Sequence, residues 1–146
     1  MDFKRIALAA VVTWVADVMY GLVVWMGLLG PEMARNAGVF RSEAAMNAGM
    51  PLMFAGVLLA MFALVYVYAK GYEGGSGAGE GLRFGFLLAL FVTGFVSLPI
   101  YATFNIDARL GLMASIASFV EMLFVGAVIG LSYRPVTRPV ARAAGA

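Results

Sequence analysis

Four apolar runs, each long enough to cross a bilayer, leave this chain little else to fold into. A hydrocarbon core of about 30 Å takes about 20 helical residues at 1.5 Å each. Ile6 to Leu29, Pro51 to Tyr68, Leu82 to Phe104 and Leu110 to Tyr133 all come close to that length or exceed it. The charged side chains inside them are Asp17, Glu121 and, at the mouth of the third run, Arg83. Backbone groups in lipid must bond within a helix or a closed barrel, and the alternation a barrel needs is missing. The expected fold is therefore all-α: an integral membrane four-helix bundle with helices near 6–29, 51–68, 82–104 and 110–133, forming one transmembrane domain over 1–133.

Composition narrows the chemistry. Charged residues make up 12% of the chain, against about a quarter in a soluble domain. The net charge is +2 and the basic residues lie at the ends of apolar runs, so no nucleic-acid footprint is expected. The absence of Cys and His removes disulfides, thiolate and imidazole metal ligands, and the usual nucleophile–histidine pairs. Carboxylates remain as the strong bases, and neither a cofactor nor a metal centre is expected. The first apolar run is about twice as long as the core of a signal peptide and ends in no A-x-A site, which reads as a retained helix.

Orientation follows from the basic residues. Lys4, Arg5, Lys70, Arg83, Arg134, Arg138 and Arg142 fall on the side of the termini, against Arg35, Arg41 and Arg109 on the other. That bias places both termini in the cytoplasm. Tyr66, Tyr68, Tyr72 and Tyr133 then line the inner interface, with Trp25 and Tyr101 toward the outer one.

The connectors differ in character. Gly30 to Gly49 holds two short helical patterns, Pro31 with Gly38 as a stop and Ser42 as an N-cap with Gly49 as a stop, and reads as an amphipathic helical external loop lying on the membrane surface. Gly71 to Gly81, GYEGGSGAGEG, reads as a flexible linker and lacks the spacing of a phosphate-binding loop. The segment 134–146, with Pro135, Pro139 and three arginines, reads as a basic disordered cytoplasmic tail.

Two acids carry the chemical interest. Asp17 and Glu121 both fall roughly 17 Å from the inner face, near the bilayer midplane. An acid there costs about 2.5 to 3.5 kcal/mol on insertion scales, so both are expected to face the bundle interior. Small and polar residues flank each: Ala10, Thr13, Trp14, Tyr20 and Gly21 beside Asp17, and Ala114, Ala117, Ser118 and Ser132 beside Glu121. On the third helix Thr93 and Ser97 share a face, and Pro99 frees the carbonyl of Phe95. Gly126 and Gly130 on the fourth form a small-xxx-small pair suited either to a central helix contact or to an oligomer seam, while the second helix is expected to pack through Gly56 and its methionines. No Lys or Arg lies in the core to pair with either acid. Either the acids carry protons near pH 7, or a cation supplies the missing positive charge. The candidate proton or cation site is thus Asp17, Glu121, Thr93, Ser97, Ser118 and Tyr20.

Two functions fit these residues. The plainer is a structural or accessory subunit of a membrane complex, with protonated acids bonding the helices together; the alternative is a proton- or cation-coupled carrier loading on Asp17 and Glu121. Enzyme activity is not expected, since the Y-D and G-x-G-D motifs of intramembrane aspartyl proteases are absent around both acids. The lipid bilayer, a second copy of the chain or a larger complex are the partners open to it. The segments GEGLRFGFLLALF at Gly79 to Phe91, YATFNID at Tyr101 to Asp107 and the closing VGAVIGLSYRP resemble those of small four-span bacterial membrane proteins, a family of unknown function. That resemblance implies the bacterial inner (plasma) membrane and supplies no activity or site residues.

Overall fold

A computed structural model describes residues 2–133, and the expected tail at 134–146 lies outside them. Among the described residues every regular element is helical. Four helices are long and apolar enough to cross a membrane: α1 (Phe3–Leu28), α3 (Glu43–Gly71), α4 (Gly77–Thr103) and α5 (Ala108–Ser132). A short α2 (Gly30–Arg35) and a 3₁₀ turn (Ala37–Val39) join α1 to α3.

Caps set where the long helices begin. The Asp2 carboxylate accepts from the backbone N–H of Lys4 at 3.1 Å and of Arg5 at 3.4 Å, satisfying donors that the first turn of α1 leaves open. Ser42 accepts from Ala45 N–H at 3.4 Å at the head of α3, and Asp107 from Arg109 N–H at 3.2 Å at the head of α5. The expected stop at Gly49 does not hold. Once Ser42 has started the helix, propagation carries it through Gly49 and Pro51, so the second short helix expected in the loop is the first two turns of α3. Helix α4 also starts earlier than expected, at Gly77 rather than near Leu82. The linker is left as a tight turn at 72–76, where Gly74 takes the left-handed φ of +88° that favours glycine and Glu80 accepts from the N–H groups of Glu73 and Gly75.

Packing explains that early start. Helix α1 lies between α3 and α5, and α4 packs against α5 along a seam of glycine. Gly77, Gly81 and Gly85 face Gly126 and Gly130 so closely that a Cβ added at any of the five would overlap the opposite backbone. The approach brings Cα–H groups against carbonyl oxygens, a contact that small-xxx-small helices use in place of a hydrophobic driving force. The Gly126 and Gly130 face is therefore filled within the chain rather than left for a second copy. Gly56, by contrast, has nothing near it, so α3 does not pack through that residue as expected; it packs through Met61, Val65 and Tyr68.

The two ends of the bundle differ. At the end carrying the chain termini, Ile6, Val65, Ile129 and Tyr133 are buried together, and the Tyr68 ring lies 5.4 Å from Phe84 of α4 and 6.1 Å from Tyr133. Aromatic rings close that end. At the other end α2 is tied to the head of α5. Its Glu32 is buried, paired with Arg35 at 2.7 Å and with Arg109 of α5 at 3.1 Å, and Asn36 Oδ1 accepts from Asp107 N–H at 3.3 Å.

Candidate functional site

The middle of α1 and the middle of α5 bring the two acids together. Asp17 and Glu121 are each half-buried, one on each helix. Tyr20 donates to the carbonyl of Ala117 at 2.8 Å, its ring stacked 5.7 Å from Phe124, which fixes α1 against α5 one turn from Glu121. Asp17, Tyr20 and Glu121 thus lie where α1 and α5 meet.

Glu121 has a partner that the sequence did not reveal. The indole Nε1 of Trp25 donates to both carboxylate oxygens, at 3.3 and 3.2 Å. Trp25 was expected at the outer interface; it turns inward instead. At 100° per residue it would sit about 80° round from Asp17, outside the face used to choose candidates. The last part of α1, Gly21–Leu28, is wound as a π-helix, with Leu29 N–H reaching back to the carbonyl of Val24 at 2.9 Å. A π turn advances less per residue, which closes that angle and carries the indole toward α5.

Helix α4 has its own π turn, Thr93–Ser97, two residues ahead of Pro99, where the Leu98 N–H reaches the carbonyl of Thr93. Proline lacks the donor for the ordinary register, and a widened turn beside it is a common response. The Thr93 hydroxyl is enclosed with no hydrogen-bond partner among the described residues.

Ser97 and Ser118 sit elsewhere, on the wall of a cavity of about 230 Å³ at the end opposite the termini. Met33 and Phe40 of the α1–α3 connection, Tyr101 of α4 and Trp25 also line it, and the lining is overwhelmingly apolar. Trp25 lines the cavity, and its indole N–H holds Glu121. The six candidate residues therefore separate into an acid pair with Tyr20, two hydroxyls on a neighbouring cavity and the isolated Thr93, with Trp25 joining the first group to the second.

Other polar neighbours expected beside Asp17 bond elsewhere. Thr13 donates to the carbonyl of Ala9 at 2.8 Å, and the Trp14 indole to the carbonyl of Phe54 on α3 at 3.1 Å. Among the described residues no group of three or more acidic side chains is placed to hold a metal ion. Two carboxylates with hydroxyl and indole neighbours can exchange protons or balance one positive charge. No family model, curated protein or solved structure matches this chain.

Proposed function

We propose that this chain is a proton- or cation-coupled carrier that loads on Asp17 and Glu121. One observation carries the reading: an apolar cavity at one end of the bundle is lined by Trp25, whose indole holds Glu121, while Tyr68, Phe84 and Tyr133 pack together at the other end. A bundle with a cavity on one side of a half-buried acid pair and packed rings on the other has the form that alternating access requires. The π turns in α1 and α4 lie beside that pair and beside the cavity, at positions where the helices can rewind.

The location goes with this reading. The excess of Lys and Arg at the end carrying the termini supports cytoplasmic termini, with the cavity facing outward, and the resemblance to small four-span bacterial proteins supports an inner (plasma) membrane.

A second reading, a structural or accessory subunit, is favoured by the same two bonds between α1 and α5. Tyr20 to Ala117 and Trp25 to Glu121 hold the helices together whether or not anything moves.

Reconstitution separates the two. Vesicles containing the wild-type chain, with potential clamped and a pH-sensitive dye enclosed, are expected to dissipate a pH gradient faster than protein-free vesicles. Asp17→Asn and Glu121→Gln are expected to return the rate to the protein-free level. Wild-type vesicles no faster than empty ones overturn the carrier reading, and co-purification with a larger complex at fixed stoichiometry would then favour the accessory one.

A further inference from the structure

We infer that the outer cavity is a binding site for a small monovalent organic cation with an apolar body, of the size of one aromatic ring bearing an ammonium group. The inference rests on the carrier reading and names its substrate class.

Size comes first. A cavity of about 150 Å³ is enough to hold benzene, so the 230 Å³ here takes a ring and several further heavy atoms. The walls then require an apolar body, because Val92, Val96, Ile100 and Leu110 would leave a polar ligand without partners. A wholly neutral hydrocarbon would satisfy those walls but makes no use of the far end.

At that end the chemistry favours positive charge. Three aromatic rings, Trp25, Phe40 and Tyr101, line the cavity, and indole faces attract ammonium groups most strongly. The Trp25 indole donates to Glu121 at 3.2 Å, so a carboxylate stands at the edge of a ring that lines the cavity. No Lys or Arg is part of the lining. A cation seated among these rings therefore lies close to a carboxylate in a medium of low dielectric, where unlike charges attract strongly. Ser97 and Ser118 add hydroxyl oxygens to the lining, and Met33 of α2 adds an apolar contact. The ligand and a proton on Glu121 compete for the same negative charge, which is the linkage an exchanger of cation for proton needs.

The test is equilibrium binding of radiolabelled phenyltrimethylammonium to the full chain in zwitterionic nanodiscs, with no gradient present. Saturable binding of one ligand per chain above empty nanodiscs is expected. The neutral isostere tert-butylbenzene should compete about ten-fold more weakly or worse. Ala114→Leu, which fills the cavity from α5, should abolish binding, and Glu121→Gln should weaken it about ten-fold. Because Glu121→Gln can disturb the bundle, the comparison of charged and neutral probes on the wild-type chain decides. No saturable binding, or equal binding of the two probes, overturns the inference. Binding is measured apart from flux. Proton movement without cation binding removes this substrate class and leaves the carrier reading; cation binding without proton movement does the reverse.

Discussion

Trp25 donates its indole N–H to both carboxylate oxygens of Glu121, tying the π-wound end of α1 to the middle of α5. Three of the elements that matter meet in that contact: the acid pair, the cavity and the turn that aims the indole. A carboxylate in lipid needs a donor, and no basic side chain is within the bundle to supply one.

Trp25→Phe keeps the ring on the cavity wall and removes the donor. Interhelical hydrogen bonds in membrane bundles average about 0.6 kcal/mol and reach about 1.7 kcal/mol, and the loss should fall in that range when unfolding is followed in detergent. Proton flux should fall, since Glu121 loses the donor that fixes its carboxyl beside the cavity. Unaltered stability and unaltered flux would mean that the contact has no part in either.

The glycine seam predicts a contrast between two substitutions of the same kind. In Gly126→Ala the new methyl overlaps the carbonyl of Gly81 and the Cα of Gly85, so α4 and α5 must separate, at a cost of about 1–3 kcal/mol. Gly56→Ala meets nothing within 4 Å and should be neutral or gain up to about 1 kcal/mol from helix propensity. Thermal unfolding of the two variants side by side checks the packing of α4 on α5.

Much of this arrangement was legible in the residues, and the exceptions share a cause. Length and apolarity located four spans, and helical depth placed Asp17 and Glu121 at one level. What escaped were features set by departures from the ideal helix or by contacts between distant segments. Trp25 lay off the chosen face because the 100° rule assumes α winding that Gly21–Leu28 does not keep. The glycines at 77 and 81 read as a linker because glycine marks both flexibility and close packing, and only their four-residue spacing with Gly85, opposite the Gly126 and Gly130 pair, tells the two apart. Glu32 drew no notice in a polar loop, since its burial depends on Arg109, which is 77 positions further along the chain.

The lid over the cavity rests on Glu32. Both arginines paired with it are well exposed, so the pairs together contribute about 1 kcal/mol. Glu32→Ala should therefore release α2 without unfolding the bundle. With no native Cys in the chain, a cysteine placed at Ser115 on the cavity wall reports on access. Its labelling by a membrane-impermeant thiol reagent should rise about five-fold in the Glu32→Ala background. An unchanged rate would show that α2 does not control entry.

The most direct measurement of the central claim, that Asp17 and Glu121 form one coupled proton site inside the membrane, is infrared difference spectroscopy of the reconstituted chain across a pH titration. Two carboxyl carbonyl bands are expected, one lost in Asp17→Asn and the other in Glu121→Gln, and each substitution should shift the titration of the acid that remains. Bands that titrate independently of one another, or acids that do not exchange protons with either side at any pH, would contradict it.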